Sequence, residues 1–494
     1  MGPKLRIAVI ADTHFAAAGQ SERRGDLADV LLLRAVHRLN RWLKPDVTLL
    51  LGDLLDDGNA PGAADRLCVL RTLTGKLRSP VIAVPGNHDG APDAFSRVFD
   101  RPRDFIDVAG VRFVAFVDPE EPHWNARRTE RDLARMAAAR HGFDGPIVAV
   151  QHVPLFPPGA SDCPYNYTNA SDVVAAMRAH GIRLAVSGHY HRGMDVVRDG
   201  DLRFVAAPAL CEAPFQFLMI EFDGEEAVAT RHRLRLPDGL GLVDAHIHSQ
   251  FAYCGENMHF LRARAVGEAM GLGGMVFTEH TGQLYFSPDD FWSGECYVKG
   301  LAGAEPRCDR TPDYFAAARA AGVPERCVGL EVDCDFEGNA MVSAADRGRA
   351  AFLLGSVHSL RALKGPSPDM AAAGKELLAR TEALLRAGVP VIAHPFRLFH
   401  RKGVAPPADL FAAVARLLRQ YGAAAELNFH TQTPDPEFVR PCLELGVKFS
   451  LASDSHNLYE VGELAPHLAL LHRCGVAEGD LPRVLLDLGD RRAW

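Results

Sequence analysis

A chain of 494 residues is long enough for two domains of ordinary size, each with its own core. With 48% hydrophobic and 23% charged residues it has a globular composition, and a net charge of −8 speaks against a protein that coats nucleic acid, which needs a basic field. No apolar run reaches the ~18 residues that cross a bilayer, residues 1–15 lack the features of a secretory signal, and ten scattered cysteines without a C-x-x-C fit a reducing cytoplasm better than a disulfide framework.

In chain order, apolar runs predict strands over Ile7–Ala11, Val47–Leu51, Val81–Pro85, Val111–Val117, Ile147–His152 and Leu184–Ser187. Amphipathic stretches such as Ala28–Leu43 and Ser171–His180 predict helices between them. From Arg192 to Leu236 the pattern turns to consecutive short strands, among them Arg203–Ala207 and Phe217–Phe222. That change favours a layered α/β/β/α sandwich over a simple parallel sheet.

The breaker cluster Pro237-Asp238-Gly239-Leu240-Gly241 reads as a boundary, giving expected domains 1–236 and 242–494 joined by the linker 237–241. Beyond it β–α alternation restarts, with strands over Leu242–His246, Gly274–Thr278, Val328–Glu331, Phe352–Val357, Pro390–Ala393, Ala424–Asn428 and Lys448–Ala452. Helical patterns at Met370–Ala387 and Asp409–Tyr421 separate some of them. Such a succession predicts a barrel-like parallel sheet, with chemistry at the C-terminal strand ends. The fold class is therefore α/β in both halves.

Over half of the 21 histidines sit in short motifs at predicted strand ends. Five occur in the first half: Asp12-Thr13-His14, Gly52-Asp53, Gly86-Asn87-His88-Asp89, Gln151-His152 and Gly188-His189-Tyr190-His191. One such motif alone would read as a satisfied loop residue. Five in order can deliver carboxylate, amide and imidazole ligands to one place, a donor set suited to Mn, Fe or Zn. A carboxylate shared by two divalent ions ~3.5–4 Å apart is the arrangement for phosphoryl transfer.

On these motifs residues 5–236 resemble the calcineurin-like metallophosphoesterases, closest in style to the bacterial cyclic-nucleotide phosphodiesterase branch. The resemblance implies a four-layer sandwich and two divalent metals. Asp12, His14, Asp53 and His191 would hold one, and Asp53, Asn87, His152 and His189 the other, with the family's hydroxide between the ions attacking phosphorus. His88 would protonate the leaving oxygen or bind phosphate. Asp89 reads either as the partner that orients His88 or as a structural aspartate that starts a helix. Gly52, Gly86 and Gly188 are expected to permit tight turns near the metals.

The second half carries His246-Ile247-His248, Glu279-His280, Glu331, Ser356-Val357-His358, His394-Pro395 and Asp454-Ser455-His456. Together these resemble the PHP (polymerase and histidinol phosphatase) domain, a distorted barrel of (β/α)7 type that typically holds three metals. The resemblance puts His246, His248, Glu331 and Asp454 on one metal, Glu331, His358 and His394 on a second, and His280 and His456 on a third. Where relatives carry a further histidine this chain has Cys254-Gly255-Glu256. The expected substitute is Glu256, with Cys254 or His259 as alternatives, and two or three ions (Mn, Fe or Zn) are expected in this half. Arg397 could grip a substrate phosphate or be a surface arginine. Asn428 is another strand-end candidate, and Asp244 would orient a ligating imidazole from behind. Residues 281–310 form a long connection with Tyr285, Phe286, Phe291, Trp292 and Tyr297, expected to act as a lid or interface segment.

The two resemblances together imply a bifunctional phosphoesterase. The first domain would cut a small phosphodiester, open or cyclic, and the second would remove the remaining phosphate, both with metal-activated water. The expected partner is a small phosphorylated substrate in the cytoplasm, with no membrane and no nucleic acid beyond short oligonucleotides or nucleotides. Two other readings stay open: an oligonucleotide-processing nuclease, and a chain in which one half is a metal-stabilised scaffold or sensor.

Overall fold

The computed structural model describes residues 4–19 and 22–489. The chain divides into two compact units, Met1–Arg235 and Leu236–Trp494. In chain order the first unit has strands β1 (Leu5–Ile10), β2 (Val47–Leu51), β3 (Val81–Val84), β4 (Ile106–Val108) and β5 (Val111–Ala115). A small ribbon follows, β6 (Glu120–Glu121) and β7 (Asn125–Ala126). Then come β8 (Ile147–Val150), β9 (Ile182–Ser187), β10 (Met194–Asp199), β11 (Leu202–Ala206), β12 (Gln216–Phe222) and β13 (Ala227–Arg233).

They form two mixed sheets, ordered β13-β12-β1-β2-β3 and β10-β11-β9-β8-β5-β4. Alternate side chains decide the packing. Ile7, Val9, Leu49 and Leu51 of one sheet share a core with Phe113, Val148, Val150, Leu184 and Val186 of the other. The intervening Val114, Ala149 and Ala185 turn the other way, onto Met136 and Ala139 of the helix Glu130–Arg140 and Val173 and Met177 of the helix Ala170–His180. Both faces of these strands are covered, which is why they read as unbroken apolar runs.

Several expected strands are shorter in the structure. Those predicted to reach Pro85, Val117 and His152 stop at Val84, Ala115 and Val150, because the chain turns there to present the motif residues. The predicted helix to Leu43 is α-helical over Ala28–Arg38 and ends in a wider π turn, Leu39–Leu43.

The second unit contains β14 (Val243–Ile247), β15 (Gly274–His280), β16 (Val328–Asp333), β17 (Phe352–Ser356), β18 (Val391–Ile392), β19 (Ala424–Asn428) and β20 (Phe449–Ala452). They lie in that order and all neighbours are parallel. The outer edges meet through His248 N donating to Ser455 O (3.2 Å) and Asp454 N to His246 O (2.8 Å), so the sheet is a nearly closed barrel. Val243, Ala245, Val276, Phe352, Leu354, Val391 and Ala424 share its core.

The connection 281–310 is not irregular. It folds as the short helices Thr281–Tyr285, Pro288–Ser293 and Cys296–Lys299, because Tyr285, Phe286 and Tyr297 bury against Phe336 and Met341. Among the described residues no helix is long and apolar enough to cross a membrane.

Candidate metal centres

The C-terminal ends of β1, β2, β3, β8 and β9 bring the first five motifs together. Asp12, His14, Asp53 and His189 all have positive φ, between 46° and 66°. For non-glycine residues that region costs about 1 kcal/mol or more each, and such strain collects at functional sites. Backbone hydrogen bonds hold it in place: Asp12 N to Gly52 O (3.0 Å), His14 N to Asp53 O (2.9 Å) and Gly188 N to His152 O (2.8 Å). A Cβ on Gly86 would sit 2.2 Å from Asp53 Oδ1, and one on Gly52 2.3 Å from Gly86 N, so only glycine lets the β2 and β3 loops meet.

Four imidazoles surround Asp53. His14 Nε2 lies 3.8 Å and His152 Nε2 3.4 Å from its Oδ2. His14 Nε2 is 3.1 Å from His191 Nε2, and His152 Nε2 is 3.0 Å from His189 Nδ1 and 3.2 Å from Asn87 Oδ1. His191 Nε2 is 3.7 Å from Asp12 Oδ1, which is buried and makes no hydrogen bond. Asp12, His14, Asp53, Asn87, His152, His189 and His191 thus occupy one place.

The hydrogen bonds on the far side of these rings explain what the cluster needs. His152 Nδ1 donates to Leu51 O (2.6 Å) and His191 Nδ1 to Glu212 Oε1 (2.6 Å). With the proton on Nδ1, each Nε2 turns a lone pair toward other acceptors. Acceptors facing acceptors in a buried site require a cation between them. Nitrogen–nitrogen gaps near 3 Å are also the spacing of neighbouring ligands about 2.1 Å from a common ion. The residues present therefore fit divalent metals. Electrostatics agree: burial pushes His14 down to about 2 and His189 to about 3, the neutral form that ligates. Burial lowers His152 too, but Asp53 outweighs it and holds the ring up at about 9, so a positive charge is favoured beside Asp53.

Asp89 is not the partner of His88. Its carboxylate accepts from Leu55 N and Gly86 N, both at 2.8 Å, and so closes the β2 and β3 loops. His88 is oriented instead by Nδ1 donating to Asp56 O (2.7 Å) and its amide donating to Asp53 Oδ1 (2.8 Å). Its ring stands 4.9 Å from that of His14 and lines a cavity of about 530 Å³ with Arg23, Trp124, Tyr165 and Arg192. Sequence reasoning missed Glu212, and also Cys211, whose buried thiol comes within 4.8 Å of the His14 and His191 ligand atoms. Neither belongs to a recognisable motif.

In the second unit the centre is Glu331, fully buried. Its Oε1 lies 3.0 Å from His394 Nε2 and 3.2 Å from His358 Nε2. Its Oε2 lies 2.5 Å from His280 Nδ1, 3.4 Å from His246 Nε2 and 3.7 Å from His248 Nε2. Asp454 Oδ1 adds contacts of 3.0 Å to His248 Nε2 and 3.5 Å to His246 Nε2. Residues two apart on a regular strand would be ~7 Å apart. A register shift in β14 between Asp244 and Ile247 brings the Nε2 atoms of His246 and His248 to 3.2 Å. Backbone strain recurs, with φ of 28° at His394 and 54° at Asp454.

Carboxylates again fix the tautomers from behind. His246 Nδ1 donates to Glu426 Oε1 (2.7 Å), His248 Nδ1 to Glu279 Oε1 (3.0 Å) and His358 Nδ1 to Asp333 Oδ1 (2.6 Å). Asp244 does not take that role: it accepts from Ser453 N (2.9 Å) and Gly462 N (2.8 Å) and anchors the loop that carries Asp454. His456 joins through ring contacts, 4.3 Å from His248 and 4.5 Å from His430. His430, held by Glu460 Oε1 at 2.9 Å, was not foreseen.

The Cys254-Gly255-Glu256 run divides. Glu256 reaches the cavity wall but accepts from Asn457 Nδ2 (2.7 Å), whereas Cys254 Sγ lies 3.6 Å from His280 Nε2, nearer the cluster. His259 is exposed, directly precedes the helix Phe260–Ala269 and is not among the residues that line the cavity. Arg397 is buried and donates to Asp454 Oδ2, so it is neither a surface arginine nor an unengaged phosphate grip. Asn428 Nδ2 donates to Glu426 Oε2 (2.9 Å) and Asp454 Oδ2 (3.1 Å). The cluster opens into a cavity of about 460 Å³ walled by Phe291, Trp292, Lys364, Arg397 and Arg401.

Residues 5–193 match the family model for calcineurin-like phosphoesterases. Over 199 residues the chain is 25% identical to a Rhodococcus erythropolis protein named "Probable cyclic nucleotide phosphodiesterase", covering 38% of this chain and 65% of that relative's length. Among solved structures, a dimetal phosphatase from Danio rerio is 17% identical with a TM-score of 0.40, over 47% of this chain and 96% of that one. A candidate histidinol phosphatase from Listeria monocytogenes is 14% identical with a TM-score of 0.35, over 44% of this chain and 97% of that one. Residues 5–193, whose five strand-end motifs converge on one cluster of metal donors, form a domain that matches the calcineurin-like phosphoesterase family.

Proposed function

We propose that the chain is a two-site, metal-dependent phosphoesterase. The first unit, a four-layer metallophosphoesterase sandwich, hydrolyses a small phosphodiester, open or cyclic. The second, a PHP-type barrel, hydrolyses the phosphomonoester that remains. The observation that carries this reading is the repetition of one device in two places: a buried carboxylate, Asp53 or Glu331, ringed by imidazoles, of which His152, His191, His246, His248 and His358 are tied down from behind. Cavities of about 530 and 460 Å³ suit a small ester better than a nucleic-acid strand.

Divalent ions held by these donor sets would neutralise phosphate charge and lower the pKa of bound water. The chain's own residues do the rest. Asp53 stands between the His14–His191 and His152–His189 pairs. His88, fixed through its Nδ1 and its amide, turns its other nitrogen to the cavity, where it can hand a proton to the leaving oxygen. In the second unit Arg397 holds Asp454 in place, and Lys364 and Arg401 offer cations on the cavity wall to the substrate phosphate.

Asp53→Asn and Glu331→Gln in the full chain test the assignment. The first is expected to abolish hydrolysis of bis(p-nitrophenyl) phosphate and spare p-nitrophenyl phosphate, and the second to do the reverse. Loss of both activities from one replacement, with none from the other, would remove the division of labour.

A further inference from the structure

Among the described residues, the large hydrophobic side chains left exposed are Val69, Val117, Val228, Leu261, Val298, Trp124 and Trp292. Single exposed aliphatics are ordinary surface features. The two aromatics are different, because each lines a cavity over one of the metal clusters: Trp124, 57% exposed, in the first unit and Trp292, 61% exposed, in the second.

Trp292 sits on an anchored element. It belongs to the helix Pro288–Ser293, whose N-terminus is capped by Ser287 Oγ accepting from Asp290 N (3.2 Å). Asp290 is in turn paired with Lys299 Nζ (2.6 Å). Its neighbour Phe291 packs edge-on to the indole at 5.1 Å and reaches His280 at 6.1 Å, centroid to centroid, so the indole stands one ring's breadth beyond the cluster. On the same cavity wall are Lys364 and Arg401. The first cavity repeats the combination, with Trp124 beside Arg23 and Arg192. There the backbone of His123 and Trp124 is forced to φ of 64° and 58°, strain that projects the indole from the tip of a two-residue ribbon.

We propose that Trp292 determines specificity at the second site by stacking on a planar aromatic ring carried by the alcohol of the phosphomonoester, while the phosphate lies at the Glu331 cluster. This rests on the second cluster being a monoester site. The recurrence of an indole with two cations at both cavities indicates one group read twice, a ring that survives the first cut and is presented again at the second. In the second step the oxygen of water bonds to phosphorus, the phosphorus–oxygen ester bond breaks and the leaving oxygen takes a proton. The products are the ring-bearing alcohol and inorganic phosphate.

The test is calorimetric titration of the metal-loaded full chain with adenosine 5′-monophosphate and with ribose 5-phosphate, which share a phosphate but not a ring. The chain is expected to bind the ring-bearing ester about tenfold tighter, the size of one stacked base. Trp292→Leu should erase that preference without weakening ribose 5-phosphate, Trp292→Phe should keep most of it, and Trp124→Leu should leave it intact. Equal weakening of both ligands, a preference that survives Trp292→Leu, or no preference in the unaltered chain overturns the proposal. A Trp292-dependent preference in a chain that hydrolyses neither ester would instead defeat the phosphatase reading and leave the ring platform standing.

Discussion

Glu426 Oε1 lies 2.7 Å from His246 Nδ1, behind an imidazole whose Nε2 faces Glu331. Its other oxygen accepts from His394 N (2.9 Å) and Asn428 Nδ2 (2.9 Å), so one carboxylate sets the tautomer of one candidate ligand and the backbone of another. Replacing a partner of this kind commonly costs 10–100-fold in metal affinity or activity. Glu426→Gln is therefore expected to lower kcat/KM for a phosphomonoester by about that factor and to leave diester hydrolysis unchanged.

Glu212 plays the corresponding part in the first unit, accepting from His191 Nδ1 at 2.6 Å. Glu212→Gln should weaken metal binding to the first unit by about tenfold or more, read by competition with a chromogenic chelator, without affecting the second.

Asp89 and His88 are neighbours with opposite expected phenotypes. Asp89→Ala leaves the buried amide of Leu55 and the partly buried amide of Gly86 without an acceptor, at a cost of about 1–3 kcal/mol for the buried donor and less for the other. Thermal unfolding of the first unit should shift down accordingly. His88→Asn should leave that transition in place and lower diester turnover by about a hundredfold, as loss of a proton donor does.

Arg128 is fully buried and forks onto Asp118 at 3.1 and 2.8 Å, with Tyr167 Oη 3.2 Å away. Arg128→Met strands the Asp118 carboxylate in the interior, and about 3–5 kcal/mol of first-unit stability should be lost. Denaturant unfolding followed by a probe in that unit measures it.

The parts of this molecule that were legible in its sequence are those written in local patterns. Strands covered on both faces announce themselves as apolar runs such as Val47–Leu51, and imidazole and carboxylate motifs stand out where those runs end. What lies behind the candidate ligands is not local. Glu426 and Glu212 reach their histidines across 180 and 21 positions, and a single glutamate inside a strand or in a loop has no periodicity to mark it. Asp89 and Asp244 sit inside motifs, yet bond to backbone amides, because a loop crowded with positive-φ residues needs acceptors to close it. Arg397 was read as a phosphate grip or a surface group; the fold buries it on Asp454, a pairing set by where β18 and β20 end.

Metal content tests most directly whether the chain holds two independent multinuclear centres. By elemental analysis the intact chain, purified with Mn, Fe and Zn available, should carry about five ions per chain, losing about two in Asp53→Asn and the remainder of the set in Glu331→Gln. About two ions in the intact chain, or a single replacement that empties both units, would contradict the account.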